Sequence, residues 1–212
     1  MRTNLVLIDY ENVQPASLTL LRGEPFRVVL FLGADQARLP IETVAALQPM
    51  GGRAEYVKIS GRGPNALDFH IAFTIGELAS RDPSAYFHII SRDTGFDPLV
   101  THLRSRKILA ARWTDIREIP AVRAAMATTT ADRLALVVEN FERRGESRPR
   151  TVKALRATVD ALFGKPLLEP DFADLLGEMQ ARSYLTLEAT RISYALPGGV
   201  GRADAAGRAH GR

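Results

Sequence analysis

The stretch LVLIDYEN, residues 5–12, decides the expected fold, because a continuous apolar run leads directly into an acidic motif. A short apolar run of this kind is typical of a strand that is covered on both faces, as in a parallel sheet. Between such runs we predict helices, the strongest at Ala66–Ser80 with Asn65 as its cap. Alternating strands and helices predict a parallel α/β sheet with helices on both faces. The other predicted strands are Val28–Leu32, Tyr56–Ile59, Phe87–Ile90 and Ile108–Ala111.

The alternation stops near Thr128–Thr130, which predicts a change of domain there. Three amphipathic helices and then a hairpin are expected, which is the order of elements in a winged helix. We therefore predict a first domain over residues 1–127, a winged-helix-like domain over residues 128–197 and a disordered tail over residues 198–212. The elements of the second domain are predicted at Asp132–Arg143, Val152–Phe163, Pro170–Ser183, Tyr184–Leu187 and Arg191–Leu196.

Composition narrows the classes of function. The chain has 212 residues, enough for one domain of ordinary size and a small second one, and it has no cysteine. A disulfide framework and a thiolate zinc site are therefore excluded. The absence of cysteine agrees with a reducing compartment, so the cytoplasm is the expected location. No apolar stretch approaches the roughly 20 residues that cross a bilayer, so no membrane partner is expected. The net charge of +4 is compatible with a polyanionic partner.

Acidic side chains follow the first and fourth predicted strands. Asp9 ends the first strand, and Asp93 and Asp97 lie in the segment SRDTGFDP, residues 91–98, after the fourth. Asp68 lies in the first turn of the strongest helix. Because ligands of parallel α/β sheets bind beyond the carboxyl ends of the strands, we expect these four carboxylates to be neighbours.

Carboxylates that lie this close together repel each other and raise one another's pKa unless a cation lies among them. Ligands that are all oxygen atoms suit Mg²⁺ or Mn²⁺. Such an ion can activate an attacking water and stabilise the charge that develops on a phosphate. The predicted reaction is therefore phosphodiester hydrolysis.

The two acidic segments resemble the signatures of the NYN subgroup of PIN-like ribonucleases. Asp9-Tyr10-Glu11-Asn12 is similar to the Asp-x-x-Asn motif of that family, and the segment from Ser91 to Asp97 resembles its Ser-x-Asp-x-Asp-Phe stretch. The middle acid of the family corresponds best to Asp68, although the usual Lys-Gly pair is missing before it. Gly95 stands where many relatives have an acid, and Asp97 follows two residues later. The resemblance covers about residues 3 to 115.

This resemblance implies a PIN-like fold and a metal-dependent endoribonuclease. It implies RNA as the substrate, with single-stranded DNA as the other candidate, and Mg²⁺ or Mn²⁺ as the cofactor. A homodimer stays open, since PIN-like relatives often pair. The implied metal ligands and catalytic residues are Asp9, Asp68, Asp93 and Asp97, with Asn12 and Ser91 orienting ligands or water by hydrogen bonding.

Aromatic and basic residues are candidate contacts for nucleic acid. Tyr10 could stack on an unpaired base, and Lys58, Arg62 and Arg92 could contact the phosphate backbone. In the second domain the segment Arg143–Arg156 is strongly basic. Its candidates for phosphate contact are Arg148, Arg150 and Lys153. The third helix of that domain carries Asp171, Asp174 and Glu178, which argues against insertion into a major groove.

Structural interpretations compete with the functional ones. An aspartate at a strand end is usually a turn or cap residue, and Asp97 could cap the helix that follows it. Glu11 is expected to face solvent or to make a local salt bridge. The four histidines suggest no acid–base pair, and His88 is expected inside a strand. Two other functions stay open: a nucleic-acid-binding protein that hydrolyses little, and a metal-dependent phosphatase or nucleotidase.

Overall fold

The structure is a computed structural model that describes residues 2–23, 25–188 and 191–197. It divides into two compact units, Met1–Arg123 and Ala124–Arg212. The predicted domain boundary after residue 127 lies a few residues beyond this division. The predicted disordered tail, residues 198–212, and two residues of the predicted hairpin turn, 189 and 190, lie outside the described residues.

The first unit is built on a parallel sheet of five strands in the order β3-β2-β1-β4-β5. This order puts β1 at the centre, so the residues that follow β1 lie in the middle of the carboxyl edge. The predicted parallel α/β architecture is therefore confirmed, with strand ends shifted by a few residues. The strands are β1 Asn4–Asp9, β2 Phe26–Leu32, β3 Ala54–Lys58, β4 Tyr86–Ile90 and β5 Leu109–Trp113.

Helices cover both faces of this sheet because neighbouring residues of each strand point to opposite sides. In β1, Val6 and Ile8 belong to one apolar core, while Leu5 and Leu7 belong to the other. Between β1 and β2 the chain forms a 3-10 turn over Leu18–Leu21. The α-helices of this part of the chain are α1 Ile41–Leu47, α2 Ala66–Arg81, α3 Phe96–Ser105 and α4 Pro120–Met126.

Helix α2 begins at a turn of the backbone and not at a side-chain cap. Asn65 makes no capping hydrogen bond, and its φ of 61° lies in the left-handed region, which asparagine adopts more readily than most residues. The expectation that Asn65 caps the helix was therefore wrong. Leu67, Ile71 and Ile75 are buried at intervals of four residues, which fixes the face that α2 packs on the sheet.

The second unit contains three helices and a hairpin, in the order that the sequence predicts. Thr129 and Asp132 form a capping box at the start of the first helix. Arg150 and Thr151, which the sequence places in a loop, pair with the last strand: Ile192 N–H donates to the Arg150 carbonyl (3.0 Å), and Thr151 lies opposite Arg191. The elements are α5 Thr130–Arg144, α6 Val152–Phe163, α7 Glu169–Ala181, β6 Leu185–Glu188 and β7 Arg191–Tyr194.

The winged-helix assignment of this unit stays a prediction.

Across the described residues, none of the helices combines the length and the apolar character that a bilayer span requires.

His88 is a buried polar residue inside β4, with 1% of its surface exposed. Its Nδ1 lies 3.0 Å from Trp113 Nε1, and its Nε2 lies 2.9 Å from Asn4 Oδ1. Because an indole N–H can only donate, Nδ1 must accept, and the ring is neutral with its proton on Nε2. Burial lowers the pKa of His88 from 6.5 to about 3.

The pH dependence of stability should therefore contain a contribution from His88. Between pH 6.5 and about 3 the unfolded chain takes up a proton at this residue and the folded chain does not. The contribution is fully present above pH 6.5 and is lost as the pH falls through this window. Relative to His88→Gln, whose amide is uncharged, we expect the wild-type free energy of unfolding to lose up to about 1.4 kcal/mol per pH unit. Denaturant unfolding at a series of pH values measures this, and parallel curves for the two proteins would contradict it.

Candidate active site

Three carboxylates from distant parts of the first unit line one cavity of about 220 Å³ at the carboxyl edge of the sheet. Asp9 ends β1, Asp68 lies in the first turn of α2, and Asp93 follows β4. The order of the strands explains this meeting, because β1 and β4 are neighbours in the sheet. The lining residues are Asp9, Glu11, Asn12, Gly63, Asn65, Ala66, Leu67, Asp68 and Asp93.

Asp9 is the fixed member of this group, with only 4% of its surface exposed. Ser91 Oγ donates to its Oδ2 (2.9 Å), and the Asn12 N–H donates to its Oδ1 (3.1 Å). A buried carboxylate is destabilising unless hydrogen bonds replace the lost water. These two donors therefore hold Asp9 in one orientation.

The same contacts join the loop after β1 to the loop after β4. Asn12 Oδ1 accepts from the Arg92 N–H (2.9 Å), and Ser91 Oγ accepts from the Asp93 N–H (3.1 Å). Asp93 Oδ1 accepts in turn from the Gly95 N–H (2.7 Å). Asn12 and Ser91 thus position two of the carboxylates.

The carboxylates of the cavity are close enough to affect one another's ionisation. Burial raises the pKa of Asp9, and the charge of Asp93 adds to this, against the hydrogen bonds from Ser91 and Asn12. Burial also raises the pKa of Asp68, followed by the charges of Asp9, Asp93 and Glu11. In the lining, as far as the chain is described, four carboxylates lie without a lysine or arginine.

Asp97 is not part of this cavity, so its predicted role as a metal ligand needs correction. Arg112 donates to both of its carboxylate oxygens, from Nε at 2.7 Å and from Nη2 at 3.2 Å, which lowers the pKa of Asp97. Arg112 also donates to the Ser91 carbonyl (3.1 Å). Asp97 is therefore already neutralised, and it anchors Arg112 beside the end of β4.

Tyr10 also needs correction, because it is not available to stack on a base. Only 2% of its surface is exposed, and its hydroxyl lies 3.1 Å from Thr43 Oγ1. Successive residues of an extended chain point to opposite faces, so Tyr10 enters the apolar core on the side away from the Asp9 carboxylate.

The predicted basic contacts differ in their surroundings. Arg62 is exposed and pairs with Asp35 (2.5 Å). Lys58, at the end of β3, and Arg92 are also exposed. In the second unit Arg148 is half-buried, donates to the Phe141 carbonyl (2.8 Å) and lies over the Tyr194 ring. Arg148 therefore contributes to the packing of the second unit.

Arg150 and Lys153 are exposed. These two residues, with Lys58, Arg62 and Arg92, stay predicted contacts for nucleic acid.

Glu11 is the site residue that sequence reasoning missed, since it was expected to face solvent or to make a local salt bridge and not to join the site. It is exposed but lines the cavity. No spacing in the sequence indicates this, because it depends on how the loop after β1 passes the end of β2.

The cavity fits a hard divalent cation by its donors, which are all oxygen atoms, and by its uncompensated negative charge. The carboxylates border the cavity and do not meet at a point: in the described ranges no three acidic or histidine side chains are close enough to hold an ion as they stand. An ion would therefore be held through side-chain rotation or through intervening water.

Comparison with protein families gives a match to the PIN domain over residues 3–112, just over half of the chain. The matched residues contain the central strands of the sheet and every residue that lines the cavity. A comparison with curated proteins gives no match.

Replacing Asp68 should stabilise the protein in the absence of metal. A carboxylate whose folded pKa is raised contributes stability that is complete at low pH and is lost as the pH rises through that pKa. In EDTA at neutral pH we therefore expect Asp68→Asn to raise the thermal midpoint by about 2 °C, and below the usual pKa of 3.8 to leave it unchanged.

Asp97→Asn is the matched control for this measurement by scanning fluorimetry. It removes an ion-paired carboxylate whose pKa is lowered, so it should not raise the midpoint. A lower midpoint for Asp68→Asn in EDTA would contradict the prediction.

Proposed function

The chain belongs to the PIN domain family, whose members are typically nucleases, and from this premise we propose that it is a metal-dependent endoribonuclease. The observation that carries the proposal is the cavity beyond β1 and β4, where carboxylates gather without a basic side chain in the described lining. This is the charge distribution that a divalent cation would balance.

PIN domains generally use divalent metal ions. In this chain Asp9, Asp68 and Asp93 would hold Mg²⁺ or Mn²⁺, directly or through water. A bound ion would supply a water of lowered pKa and offset the charge on the phosphate oxygens.

The residues of the chain contribute position and orientation. Asp9 is held by Ser91 and Asn12, and a carboxylate fixed in advance needs no reorganisation when substrate arrives. The first turn of α2 lines the cavity through Ala66 and Leu67, so the positive end of the helix dipole faces the site. A phosphodiester would meet backbone N–H groups there.

RNA is the proposed substrate, and the NYN subgroup is the proposed subfamily. Both rest on the motifs from Asp9 to Asn12 and from Ser91 to Asp97. Arg92 and Lys58 follow or end strands at the same edge as the cavity, where their charges would attract a phosphate backbone. Single-stranded DNA is the competing polymer.

The second unit is proposed as a winged-helix-like accessory domain that binds RNA through the strand segment around Arg150. Helix α7 carries acidic residues, of which Asp171 pairs with Arg133 (2.8 Å) and Glu178 with Arg182 (2.7 Å). The helix itself has no lysine or arginine, so it offers a phosphate backbone no positive charge of its own. The exposed Arg150 instead lies beside β7, and the exposed Lys153 lies at the start of α6.

Cleavage of a labelled RNA in Mn²⁺ tests the proposed activity. Asp68→Asn and Asp93→Asn should each lower the cleavage rate at least about a hundredfold, which corresponds to about 2.7 kcal/mol of transition-state stabilisation. Asp97→Asn, an aspartate near the cavity but bound to Arg112, should retain the rate within about threefold.

Other outcomes would identify the alternatives. RNA that is bound but stays intact with every divalent ion would make the chain a non-catalytic nucleic-acid-binding protein. Hydrolysis of small phosphoesters without cleavage of the polymer would make it a phosphatase or nucleotidase, and faster cleavage of a matching DNA strand would reverse the assignment of substrate.

The accessory domain is tested by binding of a single-stranded RNA to Arg150→Ala/Lys153→Ala at several salt concentrations. Each lost phosphate contact weakens the salt dependence of binding. The negative slope of log association constant against log salt concentration should therefore become shallower by about 1.4 for two lost contacts. Lys165→Ala, which removes an exposed lysine elsewhere in the same unit, is the control. Equal slopes for the double variant and the control would remove these residues from the interface.

A further inference from the structure

Glu11 lines the cavity and yet has no partner for its charge. Its carboxylate makes no hydrogen bond or ion pair with any residue in the described ranges, whereas Asp9 and Asp93 each accept hydrogen bonds. The Glu11 side chain is exposed and solvated, and at the rim of the cavity it adds a further oxygen donor that a hard divalent cation could use.

Gly33 provides the space in which the Glu11 side chain lies. A methyl group at position 33 would overlap the Glu11 carboxylate, and the three atoms nearest to it all belong to the Glu11 side chain. The φ of Gly33 lies outside the left-handed region, so its backbone conformation does not require glycine. A methyl group at position 33 would instead displace the flexible end of the Glu11 side chain.

The register of the sheet explains why these two residues meet. Asp9 of β1 lies beside Phe31 of β2, and Glu11 and Gly33 each follow that pair by two residues. The Glu11 head group is thereby held on the β2 side of the cavity, while Asp93 enters from the β4 side. Carboxylates therefore border the cavity from both neighbours of β1.

We propose that Glu11 is a fourth carboxylate of the cation site, one that binds the divalent ion directly or through water, and that Gly33 reserves the space for it. This inference rests on the proposed function, since it assigns a residue to the same site. It goes beyond the motif residues Asp9, Asp68 and Asp93.

Mn²⁺ titration of the full-length protein, followed by the electron paramagnetic resonance of free Mn²⁺, tests the assignment without an activity assay. Glu11→Gln removes the charge and keeps the shape, and Gly33→Ala keeps the charge and displaces it. Each should raise the Kd for Mn²⁺ about tenfold. Because both changes act on one carboxylate, the double variant should bind no more weakly than Glu11→Gln alone.

Two matched controls distinguish an effect specific to Glu11 and Gly33 from the general effect of losing a charge or adding a methyl group. Glu42→Gln removes an exposed glutamate at the start of α1, and Gly76→Ala adds a methyl group in open space on α2, so neither should change the Kd. A thermal midpoint near that of the wild type confirms that each variant is folded, and Glu11→Gln decides the outcome if Gly33→Ala does not fold.

The results distinguish failure of the inference from failure of the proposed function. If the wild type binds no Mn²⁺, or if Asp68→Asn binds as tightly as the wild type, the metal site itself is wrong. If Asp68→Asn weakens binding but Glu11→Gln retains the wild-type Kd, Glu11 is not part of the site. If Glu11→Gln weakens binding and a folded Gly33→Ala does not, the role of Gly33 is overturned.

Discussion

The structure of the first unit depends on one buried anion, the carboxylate of Asp9 at the end of the central strand. Only 4% of its surface is exposed, so its charge would be strongly destabilising without hydrogen-bond donors. These donors come from two different loops. Ser91 can reach Asp9 only if β4 lies next to β1, and the Asn12 N–H can do so only if the chain turns sharply after β1. The hydrogen bonds that make the charge tolerable thereby fix the relative position of the two loops that line the cavity.

Sequence alone predicts the parts of this arrangement that follow from local patterns. The continuous apolar run from Leu5 to Ile8 identifies a strand covered on both faces, and an acid directly after such a strand lies at the carboxyl edge of a parallel sheet. Asp68 could be placed because the apolar periodicity of α2 sets the start of the helix. These inferences need only periodicity and the rule for strand ends.

The errors concern contacts that depend on register and side-chain direction. Asp97 follows the same strand as Asp93, but the pairing of Ile89 with Arg112 brings a guanidinium to it, and this pairing links residues that are distant along the chain. Tyr10 is adjacent to Asp9 and for that reason points to the opposite face. Glu11 could be assigned to the cavity only once the β1–β2 register had placed Gly33 beside it. In each case the sequence places the residue near the edge of the sheet, but a local pattern cannot predict which distant residue it contacts.

The spacing of the carboxylates bears on the kind of ion that the cavity suits. Mg²⁺ gives up its water reluctantly and usually keeps several water ligands when it binds a protein. In the proposed site, carboxylates that border the cavity without meeting at a point would hold a hydrated ion through its water shell. Phosphate oxygens of the proposed substrate could then replace some of those waters, as expected for an ion that completes its coordination with the substrate.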